Sequence, residues 1–393
     1  MNTRNFVNFH VLISHSPSCL NRDDMNMQKT AIFGGKTRVR ISSQSLKRAI
    51  RYSDYYARYF ISKSQRTRRL FDKMADELSA SAESAEQTTA IEKCALYAAA
   101  IFEGKTKIDE IGKYERDKKS DHIETQIIPF SCAEIEGIKQ ILLEAAGKPE
   151  KGRIEYMKAE IQRLEREQRT RIDLDVALSG RMANSELIYP VDGALAVAHA
   201  ITTHTVEPQD IDWFTAVDDL TLDAGETGAG HLNTQQFSAG VFYRYASLNL
   251  RQLQFNLGLL ANINAEQTTE SRARALDIAR HVLHLLATVV PSAKQQSFAA
   301  HNLADFVIVS LADQPVSLAN AFEEPIERER KIGGFLQPSI TALADYWSRV
   351  NSAYGLDEQA RAFALRGGIK LGDQEVLTSI ADLEQWLAND GRA

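Results

Sequence analysis

Residues 36–69, KTRVRISSQSLKRAIRYSDYYARYFISKSQRTRR, combine a predicted strand, a predicted helix and a high density of positive charge. They hold eleven Lys or Arg and a single acidic residue, Asp54. The whole chain of 393 residues carries a net charge of −6, so the other residues together carry about −16. An acidic protein that concentrates its cations in one segment is typical of proteins that bind a polyanion.

The pattern predicts a short strand over Thr37–Ile41 and then one helix that begins after Ser42, a residue type that caps helix N-termini. The predicted buried stripe of this helix recurs at helical spacing and consists of Leu46, Ala49, Ile50, Ser53, Ala57 and Phe60. A neighbouring face carries the cations, which are Lys47, Arg51 and Arg58, with Arg48 beside them.

The start of the same helix offers unpaired backbone N–H groups and the polar side chains of Ser42, Ser43 and Gln44 to a phosphate. The alternative is an ordinary solvated basic face. The combination of cap, hydroxyls and aligned cations favours binding.

A strand is predicted over Asn5–Ser14, and residues 15–40 after it lack periodicity and contain Gly34-Gly35. They predict a long functional loop, whose Arg22 and Lys29 would add to the same basic surface. Asp23 and Asp24 within it could hold a divalent metal for phosphodiester cleavage, but no further acids are identifiable, so a turn or a pairing with Arg22 is favoured. No cofactor and no metal site are predicted.

The composition and the lengths of the apolar runs indicate the cellular compartment of the protein. No apolar run approaches the roughly 18 residues of a membrane span, and Phe6–Ile13 reads as a strand and not as a signal sequence. Cys19, Cys94 and Cys132 are few and far apart, which is typical of a reducing cytoplasm. A cytoplasmic protein without a membrane partner is therefore expected.

Residues 65–171 are predicted to be an all-helical insertion, a lobe separate from the strands around it. After it, IDLDVAL (172–178) predicts a strand that ends at a Gly180 turn. Arg181 and Met182 follow this turn and are candidate RNA contacts. Helices are expected at residues 69–80, 85–102, 131–146, 152–171, 269–290 and 339–350.

Further strands are predicted over Val191–Thr205, Gln236–Leu248 and Phe306–Leu311. Residues 206–235 between the first two are Gly-rich, and residues 207–226 hold seven acids and no Lys or Arg. They predict a projecting arm, with Trp213 and Phe214 as candidate partner or base-stacking contacts.

The order strand, helix, strand, strand, helix, strand predicts an α+β fold with a ferredoxin-like palm, the skeleton shared by RNA-recognition modules. The predicted boundaries are palm 1–64, helical fingers 65–171, palm 172–205, arm 206–235, and palm with C-terminal helices 236–393.

Several motifs resemble the CasC family, the backbone subunits of the type I-E CRISPR surveillance complex, Cascade, within the RAMP superfamily. They are residues 8–51, ALSGRMA, AHAITTH, DIDWFTAVDDL, FSAGVFYRYA, ANAFE and GFLQPSI. The resemblance implies an RRM-like palm, helical fingers and a β-hairpin thumb formed by the arm.

The resemblance also implies that copies stack along the spacer of a CRISPR RNA, each thumb reaching the next copy and displacing a nucleotide. Guide bases would then pair with target DNA, and other Cascade subunits would be partners. Contacts to the RNA backbone fall on Arg22, Lys29, Ser42, Gln44, Lys47 and Arg51, with Met182 as a wedge and Trp213 and Phe214 in the thumb.

Two alternative functions have less support in the sequence. Related backbone subunits cut target RNA with a loop acid, so Asp23 or Asp24 could serve a metal-dependent nuclease. A non-enzyme is preferred because the chain resembles the type whose cleavage a recruited partner performs. A DNA-binding regulator is disfavoured, since no helix-turn-helix signature is found.

Overall fold

A computed structural model describes residues 4–60, 63–168, 172–182, 189–214, 232–330 and 333–392. The fold mixes helices with antiparallel strand pairs, as predicted, and the chain divides into two units. The first, called the sheet unit, consists of Met1–Tyr56, Ala196–Leu248 and Ala273–Ala393. The second, called the helical unit, consists of Ala57–Leu195 and Asn249–Arg272.

The strands of the predicted palm skeleton are present, but the single strand predicted over Val191–Thr205 is two short strands, Leu195–Val197 and Ala200–Thr202. They are β1 (Phe6–Ser18), β2 (Thr30–Phe33), β3 (Lys36–Ile41), β4 (Leu195–Val197), β5 (Ala200–Thr202), β6 (Gln209–Phe214), β7 (Leu232–Asn249), β8 (Phe306–Ala312), β9 (Gln359–Ala364), β10 (Lys370–Leu371) and β11 (Gln374–Glu375). The main sheet has the order β2-β3-β5-β7-β1-β8-β9, and β4 and β6 also pair with β7. The four strands of a ferredoxin-like skeleton, β1, β5, β7 and β8, thus lie side by side.

The predicted helices are also present, within a few residues at each end. The helices are α1 (Ser43–Arg51), α2 (Asp54–Tyr59), α3 (Leu70–Ser79), α4 (Ala85–Phe102), α5 (Ile108–Gly112), α6 (Cys132–Ala146), α7 (Arg153–Gln168), α8 (Leu174–Ser179), α9 (Leu250–Asn256), α10 (Thr269–Thr288), α11 (Gln295–Phe298), α12 (Leu336–Tyr354) and α13 (Ile380–Ala388), with a 3₁₀ turn at Ala319–Phe322.

The core of the sheet unit centres on β8, whose seven residues are all buried between β1 and β9. This fits the prediction that an uninterrupted apolar strand lies inside a sheet. The core of the helical unit is built around α4, which packs on α3 and α6 through a run of buried alanines. Small side chains let helices approach closely while still removing apolar surface from water.

The strand predicted over 172–178 is wrong, because Leu174–Ser179 form helix α8. The alternation of apolar and acidic residues suggested one solvated face, yet Asp175 is buried. Its carboxylate accepts hydrogen bonds from the backbone N–H and the hydroxyl of Ser64 and lies 3.7 Å from Arg66. Residues 172–195 and 249–272, expected in the palm, group with the helical unit.

The single helix expected after Ser42 is in fact two helices. The hydroxyl of Ser53 donates to the Ile50 carbonyl at 2.8 Å and accepts from the Tyr56 N–H at 3.2 Å, so it ends α1 and starts α2. The break rotates the second half of the stripe, and Ala57, predicted to be buried, is exposed.

The long loop expected over residues 15–40 is shorter than predicted, because β1 continues to Ser18 and β2 pairs with β3. A two-residue turn, Gly34-Gly35, joins these strands with φ of 56° and 70°. A Cβ on Gly34 would lie 1.8 Å from the Glu323 carbonyl oxygen, so this turn packs tightly on the chain.

Candidate nucleic-acid interface

The loop that carries Arg22 and Lys29 is tied to the start of α1 by Asn21. The Asn21 side-chain oxygen accepts from the Ser42 N–H at 2.8 Å, and its carbonyl accepts from the Lys29 N–H at 3.0 Å. The Lys29 carbonyl in turn accepts from the Arg40 N–H at 2.9 Å. The predicted contacts from loop and helix are therefore brought together. We call residues 21–29 and 42–51 the basic surface.

Helix α1 is capped as predicted. The Ser42 hydroxyl accepts from the Ser45 N–H at 3.3 Å, and no acidic residue occupies the first turn. Leu46 and Ile50 are buried and fix the helix on the sheet unit. The positive end of the helix dipole is thus left without an acidic neighbour on its own first turn, which favours an anion there.

The cations of α1 lie beside this buried stripe. Lys47 and Arg51 are half-buried, and Arg48 is exposed, with its guanidinium 4.7 Å from the centre of the Tyr52 ring. Gln44 is exposed in the first turn, where a phosphate could reach it. Long basic side chains can bury their stems against a core and keep their charged ends in water.

The loop acids have a visible structural role at one position. One Asp23 carboxylate oxygen accepts from the N–H groups of Met25 and Met27, both at 2.9 Å. Asn26 completes the turn with φ of 64° and accepts a hydrogen bond from Arg22. This is the turn geometry that the sequence favoured for the loop. Within the part of the chain that the structure describes, no group of three or more His, Cys, Asp or Glu is arranged to hold a metal ion.

Arg38 is one of the eleven cations of residues 36–69, but it does not belong to the basic surface. Its side chain is 0% exposed and donates to the carbonyls of Thr202 (3.3 Å), Phe322 (2.9 Å) and Glu323 (3.2 Å). Burial lowers the pKa of this guanidinium, and the nearby Glu323 charge opposes the change. Arg38 therefore joins β3 to β5 and the 3₁₀ turn.

Arg181, a candidate RNA contact, is likewise buried, at 4% exposure. Its guanidinium pairs with Glu134 at 2.5 Å and donates to the Tyr189 carbonyl at 3.0 Å. Glu134 also accepts from the Ser131 N–H in the capping box that starts α6. In this arrangement Arg181 holds the turn after α8, and its guanidinium is not presented to solvent.

Met182, the next residue, is 89% exposed. Gly180, two residues earlier, has φ of 78°, and a Cβ there would lie 2.8 Å from the Gly193 nitrogen. A glycine is therefore required at this turn. A large apolar side chain held in water by such a turn suits contact with another molecule.

The start of the predicted arm is a strand pair. In β6, Trp213 and Phe214 lie opposite Asn233 and Leu232 of β7 in an antiparallel register. The side chains of Trp213 and Phe214, and residues 215–231, lie outside the described residues. The backbone pairing agrees with a hairpin-type arm.

Three residues of this region were not singled out from the sequence, and they position the others. Asn21 links the loop to α1, and Gln28 and Gln236 join the loop to β7 through a hydrogen bond of 3.2 Å. Each acts through a contact between segments distant in sequence. No local pattern signals such a contact.

The fold places the chain among α+β proteins with a ferredoxin-like sheet. The chain belongs to the CT1975-like protein family, whose model matches residues 7–386. No curated protein matches it. Among the described residues, no helix is long and apolar enough to cross a membrane.

Solved structures extend the comparison. A chain of a structure described as "CRISPR RNA-guided surveillance complex, pre-nicking" is 29% identical, with a TM-score of 0.78, and the match covers 98% of this chain and 100% of that chain. A chain of a second structure, described as "CRISPR RNA-guided surveillance complex", is 24% identical, with a TM-score of 0.68 and coverage of 98% and 99%. At 24% identity, the second structure shows a similarity of fold alone.

Proposed function

We propose that the chain is a CRISPR RNA-binding backbone subunit of a Cascade-type surveillance complex. Copies of the subunit would line the spacer region of the RNA and present guide bases for pairing with target DNA. The family match and the full-length similarity to a chain of an RNA-guided surveillance complex support this proposal. The finer assignment, a CasC-like subunit of type I-E, rests on the motifs of the sequence.

The observation that carries the proposal is the organisation of the basic surface by Asn21. Its side chain and carbonyl bring Lys29 and the Ser42 cap to one place, and Arg22 follows Asn21 directly. Cations and helix N–H groups recognise phosphates and carry no base preference. A subunit that binds spacers must accept any guide sequence, so such contacts suit the task.

The proposed RNA-backbone contacts are Arg22, Lys29, Ser42, Gln44, Lys47, Arg48 and Arg51. Met182 is proposed as a wedge beside displaced bases because it is held exposed. Arg181 is left out of the contact set, because its guanidinium is enclosed with Glu134. Trp213 and Phe214 are proposed as contacts to a neighbouring copy.

The test is to co-express the protein with a CRISPR RNA of scrambled spacer and to sequence the RNA that co-purifies. We expect guide RNA at equal yield for unrelated spacers. Recovery of one sequence class, or of no RNA, would overturn the proposal.

Incubation of the purified complex with magnesium or manganese separates the nuclease alternative. We expect no cutting by the wild type. Metal-dependent cutting that is lost in Asp23→Asn with Asp24→Asn would establish the enzyme instead. Asn at position 23 retains an oxygen that can accept from the two backbone N–H groups, so the turn should survive the change.

A further inference from the structure

Gln236 connects the base of the arm to the loop of the basic surface. It lies on β7 directly opposite Asp210 of β6. Its side-chain oxygen accepts from the Gln28 N–H at 3.2 Å, and its side-chain nitrogen donates to the Asp210 carboxylate at 3.1 Å. A backbone N–H can only donate and a carboxylate can only accept, so one orientation of the amide satisfies both partners.

Gln28 links Gln236 to the two cations of the loop, Arg22 and Lys29. It is 5% exposed, pairs with Arg22 in an antiparallel bridge, and directly precedes Lys29. Its own side chain donates to the Ser18 carbonyl at 3.3 Å, which fixes the residue against the end of β1. A shift of the Gln28 N–H would therefore move Arg22 and Lys29 together.

We propose that Gln236 is a positioning residue that couples the arm to the phosphate-binding loop. When a second copy engages the arm, β6 and Asp210 are held in place, and the Gln236 amide holds Gln28 and the two cations for RNA. Binding of RNA and docking of the next copy then reinforce each other, because each site stabilises the same side-chain arrangement. This inference rests on the proposed function.

Substitutions at both ends of the bridge test it. Gln236→Glu keeps an acceptor for the Gln28 N–H but places a second carboxylate opposite Asp210, and like charges directly across a strand pair repel. Asp210→Asn alone keeps an oxygen that accepts from Gln236. In the double variant, Glu at 236 accepts from both Gln28 and Asn at 210, so the bridge is restored.

The readout is the dissociation constant for single-stranded RNA at fixed salt, after each variant is shown to melt like the wild type. For Gln236→Glu we expect an affinity loss of about three- to ten-fold, the size of one lost hydrogen bond. Asp210→Asn should bind like the wild type, and the double variant should recover. Gln209→Glu, which adds the same charge one residue earlier on β6, is the matched control and should change little.

A pure charge effect gives a different pattern. Asp210→Asn would then tighten binding, and Gln209→Glu would weaken it as much as Gln236→Glu does. That result, or equal binding by all variants, overturns the inference and leaves the proposed function standing. A wild type that shows no salt-dependent RNA binding overturns the proposed function itself.

Discussion

Strand β3 and helix α1 are neighbours in sequence and similarly basic, yet their cations have different partners. Arg38 of β3 is enclosed and donates to three carbonyl oxygens. Arg48 of α1 is exposed, and Lys47 and Arg51 are half-buried beside the apolar stripe. The first segment uses Arg38 to join elements of the sheet unit, whereas the second exposes Arg48. A count of charges therefore overstates the binding surface.

The same division separates Arg181 from Met182. Arg181, whose charge favours contact with RNA, is enclosed with Glu134. Met182 beside it is apolar and 89% exposed. Both residues follow the turn at Gly180, where φ is 78°. Exposure, and not residue type, identifies the candidate contact.

The largest loss of stability is expected on substitution of Arg38. Arg38→Ala leaves three carbonyl oxygens without their donor, so we expect the free energy of unfolding to fall by about 4 kcal/mol. Urea unfolding measures it, and Arg48→Ala, which removes the same charge at an exposed position, should change stability by less than about 0.5 kcal/mol. Equal losses in the two variants would contradict the division between structural and presented cations.

The arm provides a test of whether an acidic segment contacts a partner. Trp213→Ala with Phe214→Ala should weaken assembly on RNA by about 3 kcal/mol, because aromatic anchors dominate contacts between subunits. The melting temperature of the isolated subunit should change little. Sizing of the RNA-bound assembly and thermal melting measure the two effects. An unfolded subunit, or an assembly of normal length, would show that these aromatics do not contact a neighbouring copy.

Positive charge on an imidazole that is buried away from water is costly, and this predicts acid sensitivity. Burial lowers the pKa of His10 to about 3, and burial, with the positive charge of Arg244, lowers the pKa of His15 to about 3. The unfolded chain takes up these protons near pH 6.5, whereas the folded chain does not. Stability is therefore complete above pH 6.5 and falls as the pH drops towards 3.

At pH 5 we expect each of these two histidines to have cost about 2 kcal/mol of unfolding free energy. Urea unfolding at pH 7.5 and pH 5 measures the loss. His10→Gln should flatten the pH dependence. The same slope in the wild type and in His10→Gln would contradict the prediction.

Local patterns predicted a large part of this molecule. The Ser42 cap, the full extent of α4 and the burial of β8 each follow from spacing within a few residues. Helix α8 was missed because its acidic residue Asp175 receives partners from a distant segment. The burial of Arg38 and the bridge made by Gln236 likewise depend on where remote strands meet, which no local pattern encodes.

The proposed function requires that the basic surface bind RNA through phosphates. Its most direct test is the salt dependence of binding to two unrelated single-stranded RNAs by the wild type and by Lys47→Ala with Arg51→Ala. Two lost phosphate contacts should reduce the log–log salt slope by about 1.4 and the affinity by about ten-fold at moderate salt, equally for both sequences. Lys118→Ala with Lys119→Ala removes the same charge from exposed positions of the helical unit and should leave the slope unchanged. An unchanged slope in the α1 variant, or a loss confined to one RNA sequence, would contradict the account.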